Sequence, residues 1–132
     1  FGRHGHNIVK TILRLAAGDG ALAFVDDQHT STTSAEDLAA LVAHLAVGRI
    51  PGVFHSTNQT ATTWYDFACE VLRFAGHDPA RVQAITTAEL ARPAPRPAFS
   101  VLDNAALRAS GIPLLADHRE PHERLVKELT KP

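Results

Sequence analysis

Methionine is absent from this 132-residue sequence, and cysteine, tryptophan and tyrosine each occur only once. A single cysteine excludes an internal disulfide, and Cys69 lies in a helical pattern where we expect a small core residue. No apolar run approaches the roughly 20 residues that a membrane span requires. The net charge of −1 gives no general attraction to nucleic acid or anionic lipid. The sequence therefore indicates a cytoplasmic protein with neither a nucleic-acid nor a membrane partner.

The lack of methionine includes the first position, because the sequence opens with Phe1-Gly2. Phenylalanine is a poor residue to follow removal of an initiator methionine, and this opening is typical of a strand that runs into a loop. We therefore expect the sequence to be a piece of a longer protein. Its length suits one domain with a modest core, and 45% hydrophobic and 20% charged residues are ordinary for a soluble protein.

Apolar periodicity predicts helices that alternate with short strands. Helical spacing is present in residues 7–17, 35–47, 64–72, 103–109 and 118–129. Short apolar runs predict strands at 22–25, 52–56 and 81–85. This alternation indicates an α/β fold.

Polar residues in front of the apolar segments predict where helices begin. Thr33 and Glu36 form a capping-box pattern, so Thr33 is expected to cap the second helix. Thr63 and Asp66 have the same spacing ahead of the third helix, and Thr87 is expected to cap a single turn. The segment 92–97 contains three prolines, which fix φ and remove backbone donors, so we expect it to be extended on the surface.

Four segments, in order, resemble the motifs of dTDP-4-dehydrorhamnose reductases. Residues 1–13 resemble an aromatic-Gly…Gly-x-Asn-Phe-Val-x-Thr segment, and residues 25–33 resemble an Asp-Asp-Gln-x-Gly-Ser-Pro-Thr run. Residues 52–55 with 63–68 resemble Gly-Ile-Tyr-His…Ser-Trp-Tyr-Glu-Phe-Ala, and residues 92–102 resemble an Arg-Pro-x-Tyr-Ser-x-Leu segment. Each motif is weak alone, but together they cover essentially the whole chain.

The resemblance implies that residues 1–132 form the C-terminal, substrate-binding portion of an extended short-chain dehydrogenase. In that family an N-terminal Rossmann half carries a glycine-rich dinucleotide loop and a Tyr-x-x-x-Lys catalytic pair. Neither occurs here, because Tyr65 is followed four residues later by Cys69. We therefore expect no catalytic, cofactor-binding or metal-binding residue in this chain. The resemblance implies NADPH or NADH on the other half, and some family members use Mg²⁺.

The implied activity is reduction of dTDP-4-dehydro-L-rhamnose to dTDP-L-rhamnose. The implied partners are the dTDP-sugar, the N-terminal Rossmann half and a second copy in a homodimer. Two alternatives stay open. The replacement of Gly-Ser-Pro-Thr by residues 30–33 (Thr-Ser-Thr-Thr) allows a related dTDP-deoxysugar as substrate. A non-catalytic regulatory or binding subunit of the same fold is the second alternative.

Four residues are candidates for substrate binding. Gln28 and Ser31 follow a predicted strand end, where α/β proteins usually bind ligands, although both also suit a solvated loop. Arg96 suits bidentate phosphate binding, or an ion pair that fixes the tail to the body. Asn7 suits either a contact with the nucleotide or the cap of the first helix.

Three other groups of residues have a structural and a chemical interpretation. Asp26 and Asp27 suit a general-acid pair, but a turn that accepts hydrogen bonds from nearby amides is favoured. His118 and His122 are four residues apart but lack the zincin order and a cysteine partner, so no metal site is predicted. Trp64 is expected in the core.

The resemblance also predicts which surfaces lose a partner. The strand at 52–56 is expected to join the large sheet of the Rossmann half, and the helix at 35–47 is expected to pack beside it. Without that half, Val53, Phe54 and the stripe Leu38, Leu41, Val42 and Leu45 lose cover, so we expect them to be buried against another copy or in a rearranged core.

Overall fold

The computed structural model describes residues 1–131. Its helices are α1 (Ile8–Ala16), α2 (Ala35–Val47), α3 (Trp64–Phe74), α4 (Thr87–Leu90), α5 (Ala105–Ala109) and α6 (Arg119–Leu129). Its strands are β1 (Leu22–Val25), β2 (His29–Thr30), β3 (Thr62–Thr63), β4 (Val82–Ile85) and β5 (Phe99–Ser100). The predicted α/β fold is confirmed, and within residues 1–131 no helix is long and apolar enough to cross a membrane.

Two small sheets organise the strands. β1 pairs with β4 in parallel, with Leu22 opposite Val82 and Val25 opposite Ile85. The carboxyl ends of these two strands therefore lie side by side. β2 lies between β3, its antiparallel neighbour, and β5, its parallel neighbour. In the second sheet, β2, which follows β1 closely in sequence, pairs with β5, which follows the proline segment 92–97.

The main core lies where α1, α3 and α6 pack together and α3 crosses β1 and β4. Its fully buried side chains share positions that face inward from those helices: Val9, Ile12, Phe67, Ala68, Val71, Leu72 and Val126. Cys69 is half-buried and packs against this cluster, as its helical position predicts. Burial of these apolar side chains is the main source of stability for the helical layer.

Two of the predicted helix caps are confirmed and two are wrong by one residue. Asn7 accepts a hydrogen bond from the Lys10 amide, and the hydroxyl of Thr63 accepts one from the Asp66 amide. The cap of α2 is Ser34 rather than Thr33, because the Ser34 hydroxyl faces the amide at the third helical position. The cap of α4 is Thr86 rather than Thr87, which is instead the first residue of that turn.

The predicted strand at 52–56 is wrong. Pro51 lacks an N–H, and Gly52 has φ of 137°, a value that does not continue a strand. Phe54 instead packs against a second apolar cluster formed by Leu41, Leu107 and Ile112. The expectation that Leu41 and Phe54 need cover from another chain is therefore also wrong. Val42 and Val53 are exposed, so they are not buried in a rearranged core either.

Two buried asparagines fix the loops on this side of the molecule. Asn58 accepts a hydrogen bond from the Ser34 amide and donates to the Asp37 carboxylate and the Ala116 carbonyl. Asn104 accepts from the Thr57 amide and donates to the Thr57 hydroxyl. Because both side chains are almost fully buried, these bonds satisfy backbone groups that water cannot reach.

A buried carboxylate joins α3 to α6. Glu70 accepts hydrogen bonds from His118 Nε2 at 3.1 Å, His122 Nδ1 at 3.3 Å and Arg119 Nε at 3.0 Å. His122 stacks on Phe67 with ring centroids 4.2 Å apart. These bonds hold the start of α6 on the middle of α3.

The hydrogen-bond partners define the charge of each member of this cluster. His118 has acceptors at both ring nitrogens, Glu70 and the Gln59 carbonyl, an arrangement that favours the doubly protonated ring. Its pKa is raised because these acceptors outweigh the effect of burial. His122 Nε2 is buried without a partner within residues 1–131, and burial lowers the pKa of His122. The donors around Glu70 hold the pKa of its carboxyl well below the usual range despite burial.

The Glu70→Gln substitution should destabilise the chain strongly at pH 7. Removing one partner of a buried ion pair leaves an uncompensated charge, which typically costs about 3–5 kcal/mol. Urea unfolding measures this change directly. Glu123→Gln is the matched control, since its exposed pair with Lys127 is worth about 0.5 kcal/mol or less. Equal losses in the two variants would contradict the role of Glu70.

His122 should make the chain less stable as the pH falls below about 6.5, the usual histidine pKa. The unfolded chain binds a proton there, whereas the folded chain resists it because the His122 pKa is lowered. The slope approaches about 1.4 kcal/mol per pH unit for one proton. His118 has the opposite slope, so we compare wild type with His122→Asn, which keeps a donor for Glu70 but does not titrate.

Unfolding free energies between pH 7.5 and 5 should converge for the two proteins on acidification. Parallel curves would show that His122 accepts its proton without cost in the folded chain.

Candidate functional site

A cavity of about 580 Å³ opens beside the carboxyl end of β1. Residues of β1 and Ile8 of α1 form part of its apolar wall. Its polar and aromatic lining comprises Gln28, Thr30, Trp64, Arg92, Arg96 and Ser100. This volume and this mixture of an apolar wall with a few polar groups are typical of small-molecule sites.

The proline segment 92–97 forms the outer wall and carries both arginines. As predicted, it lies on the surface outside any helix or strand. Pairing of β5 with β2 fixes its end, and the Ser100 hydroxyl donates to the His29 carbonyl. Within residues 1–131, neither Arg92 nor Arg96 forms a salt bridge or a side-chain hydrogen bond. The alternative role of Arg96 as an ion-pair anchor for the tail therefore has no support.

Gln28 reaches the cavity from the end of β1 and is held by a residue at the end of β4. Its Nε2 donates to the Thr87 hydroxyl at 2.8 Å. That hydroxyl donates in turn to Asp27 at 2.7 Å, and the Thr87 amide donates to both Asp27 oxygens. The hydroxyl and amide of Thr87 lower the pKa of Asp27. Asp27 therefore accepts from an amide, as the favoured interpretation has it, but that amide belongs to Thr87 and not to a local turn. Within residues 1–131, the Asp26 side chain accepts no hydrogen bond.

Trp64 contributes to the cavity, whereas the sequence indicated a core position. The residue is half-buried, and its ring meets Phe67 edge-on with centroids 6.2 Å apart. One part of the indole therefore packs on the core while another part borders the cavity. Trp64 is the first residue of α3, directly after the cap Thr63. The first turn of a helix packs against fewer residues than its middle, so this position could have predicted that Trp64 is only half-buried.

Ser31 and Asn7 do not line this cavity. The Ser31 hydroxyl accepts a hydrogen bond from the Leu102 amide and so fixes the chain after β5. Asn7 caps α1, donates to the Gly2 carbonyl and lines a separate cavity of about 600 Å³. The structure therefore brings together Gln28 and Arg96 but not the other two candidates, whose contacts with a substrate stay predictions.

The second cavity has a different electrostatic character. Its two arginines are already paired: Arg3 with Glu128, and Arg124 with Glu36 and Asp37. An anionic ligand would have to displace these carboxylates. The cavity at the end of β1 is therefore the better candidate for a phosphorylated ligand.

The chain does not offer the features that hold a dinucleotide or a metal. The amides at the start of α4 already donate to carboxylates, Thr86 to Glu89 and Thr87 to Asp27, so they are not available to a pyrophosphate. Within the described residues, no group of three or more His, Cys, Asp or Glu side chains is arranged to hold a metal ion. Glu70, His118 and His122 lie together but hydrogen-bond one another.

The cavity of this α/β domain thus combines two guanidinium groups, an amide and an indole. Residues 1–131 match the RmlD substrate-binding domain family. The chain belongs to that family, and the resemblance to dTDP-4-dehydrorhamnose reductases is confirmed.

Two curated relatives and one solved structure illustrate the similarity. A probable dTDP-4,6-dihydroxy-2-methyloxan-3-one 4-ketoreductase of Streptomyces antibioticus is 44% identical over 90% of the chain and 41% of its own length. A dTDP-4-dehydrorhamnose reductase of Streptomyces griseus is 44% identical over 85% of the chain and 38% of its length. The crystal structure of dTDP-4-dehydrorhamnose reductase from Bacillus anthracis, in complex with NADP, matches with a TM-score of 0.91 and 29% identity. That match covers 97% of the chain and 45% of the reductase.

The chain thus spans about two fifths of the length of the curated relatives that it matches. The fold and family follow from these similarities. The activity of the complete protein does not follow from them.

Proposed function

We propose that this chain is the C-terminal substrate-binding domain of an NAD(P)H-dependent reductase that converts dTDP-4-dehydro-L-rhamnose to dTDP-L-rhamnose. A Rossmann half outside the chain binds the cofactor and supplies the catalytic residues. The chain binds and orients the nucleotide sugar in the cavity at the end of β1. The observation that carries this proposal is the pair of arginines without salt bridges, Arg92 and Arg96, at that cavity.

The chemistry of the cavity suits each part of a nucleotide sugar. Guanidinium groups bind diphosphate through charge-assisted, bidentate hydrogen bonds. The prolines around Arg96 restrict the backbone, so less entropy is lost when the side chain binds. Trp64 offers an aromatic surface suited to a pyrimidine or sugar ring. Gln28 offers hydrogen-bonding groups to the same ligand.

NAD(P)H would supply a hydride to C4 of the ketone while a proton reaches O4. This chain would contribute binding and orientation only, because no residue in it is assigned to either transfer. Holding the ketone at a fixed place against the cofactor is itself a large part of catalysis.

The open edge of β1 is the natural contact for the Rossmann half. Residues 21–25 are entirely apolar, and Ala23 is exposed although it belongs to a strand. An apolar strand with an unpaired edge favours pairing with a further strand. The two-stranded sheet β1–β4 would then continue a larger parallel sheet. A homodimer stays a prediction.

A related dTDP-deoxysugar is the second candidate substrate. The relative from Streptomyces antibioticus, 44% identical, is a probable ketoreductase with a different dTDP-linked substrate. The loop at 30–33 lacks the glycine and proline that the reductase motif has, as noted above. Comparing turnover of the two ketones by the complete protein decides between them. A regulatory subunit would reduce neither.

Arg96→Ala in the complete protein should weaken binding of dTDP by about tenfold or more. A charge-assisted hydrogen bond is worth about 1.5–3 kcal/mol, and 1.4 kcal/mol corresponds to tenfold in affinity. Calorimetry measures the dissociation constant. The melting temperature should change little, because Arg96 is exposed and makes no salt bridge within residues 1–131.

Arg14→Ala removes an exposed cation elsewhere on the surface and is the control. Equal affinities for the Arg96 variant and wild type would place the diphosphate outside this cavity.

A further inference from the structure

The side chains of Asp27, Thr87 and Gln28 form a hydrogen-bonded chain in which the sense of every bond is determined. Asp27 is exposed and its pKa is lowered, so at neutral pH its carboxylate only accepts. The Thr87 hydroxyl has a single proton, which is donated to Asp27 across a heavy-atom distance of 2.7 Å. The remaining capacity of that hydroxyl is as an acceptor.

This assignment fixes the amide of Gln28. Only the Nε2 group can donate to the Thr87 oxygen 2.8 Å away. The carbonyl oxygen Oε1 is therefore on the other branch of the amide, and it accepts no hydrogen bond from residues 1–131. Because Gln28 lines the cavity, this oxygen is the acceptor that the side chain can offer to a ligand, alongside the second N–H of Nε2.

We propose that Asp27 and Thr87 are positioning residues that hold the Gln28 amide in one orientation, so that its Oε1 is a fixed acceptor for a ligand N–H or O–H donor at that point. This inference rests on the proposed function, and it adds the polarity of one contact. In a nucleotide sugar, the donor is either the imide N–H of thymine or a hydroxyl group of a sugar. Phosphate and ketone oxygens are acceptors and do not satisfy Oε1 of Gln28.

The Asp27→Asn substitution should reverse this polarity. The Thr87 amide contacts both Asp27 oxygens, whereas the Thr87 hydroxyl contacts only Oδ1. The polarity reverses when the amino group of the introduced asparagine takes the Oδ1 position and its oxygen accepts from the amide at the Oδ2 position. That hydroxyl then has its proton free to donate, and the Gln28 carbonyl turns toward it. Gln28 now offers Nε2 to the cavity, where the ligand also has a donor.

Moving the carboxylate from position 27 to position 28 keeps the net charge and should again present an acceptor to the cavity. In the double variant Asp27→Asn with Gln28→Glu, the Thr87 hydroxyl donates to one oxygen of the carboxylate introduced at position 28. The other oxygen of that carboxylate is again an acceptor toward the cavity. Gln28→Glu alone should weaken binding, because Thr87 has no proton left for the introduced carboxylate and Asp27 repels it.

The experiment measures the dissociation constant of dTDP and the kinetic constants of the dTDP-sugar ketone with the complete protein. We expect KM to rise about tenfold in Asp27→Asn, kcat to change less, and the double variant to recover most of the loss. Asp26→Asn, the same change at an exposed neighbour without a side-chain hydrogen bond within residues 1–131, is the control. Thr87→Ser, which keeps the hydroxyl, should bind as wild type, whereas Thr87→Val should not. Melting temperatures show that each variant folds.

N3-methyl dTDP distinguishes the two donors. Loss of discrimination between dTDP and its methylated form in Asp27→Asn assigns the contact to thymine. Discrimination retained, with the defect limited to the sugar ketone, assigns it to a hydroxyl group. Either result supports the proposal.

Wild-type binding by Asp27→Asn and Thr87→Val, or failure of the double variant to recover, would overturn the proposal. If Arg96→Ala still weakens dTDP binding in that case, the proposed function stands without this inference. If neither Arg96→Ala nor Gln28→Ala affects dTDP, the proposed function itself fails.

Discussion

The parallel pairing of β1 with β4 is the constraint on which the candidate site depends. It places the residues after β1 beside the residues after β4, although about 60 positions separate them in sequence. Asp27 can then bind the amide and hydroxyl of Thr87, and Gln28 can use the same hydroxyl. Sites at the carboxyl ends of parallel strands are common in α/β proteins for this reason. Here the strand ends place Gln28 at the cavity, while carboxylates accept from the amides at the start of α4.

The helical layer depends on a different interaction and is separate from the site. Glu70 binds His118, Arg119 and His122 and so attaches the C-terminal helix to α3. Such a cluster contributes less net stability than its number of bonds implies, because burying charges is costly. Its effect is to make one arrangement of α6 far better than any other.

Sequence patterns predicted most of the helices and the strands β1 and β4, because long amphipathic segments and short apolar runs encode them locally. The errors occur where local and tertiary demands compete. Thr33 and Ser34 both suit a cap, and the bond from the Ser34 amide to Asn58 Oδ1 decides between them. Residues 52–56 are of types that favour a strand. However, the backbone conformation of Gly52 ends any extended run, and Phe54 packs against the second apolar cluster.

The site was predictable in part for the same reason. Gln28 follows a strand end and Arg96 lies on a proline-rich segment, and both features are visible in the sequence. Their proximity requires the pairing of β2 with β5, which consists of two residues on each strand and has no periodic signal. Trp64 was assigned to the core because an aromatic residue at helical spacing usually lies there. The hydrogen bonds between Asp27 and Thr87 join residues that follow two different strands. Neither sequence segment alone predicts them.

The most direct test of the account is hydrogen–deuterium exchange of the complete protein with dTDP and, separately, with NADPH. The account predicts that dTDP slows exchange in the segments 26–30 and 90–100, which border the cavity. NADPH should slow exchange outside residues 1–131. Protection by dTDP around residues 1–7 and 34–36, which border the other cavity, or protection by NADPH at 26–30, would contradict the assignment of this domain.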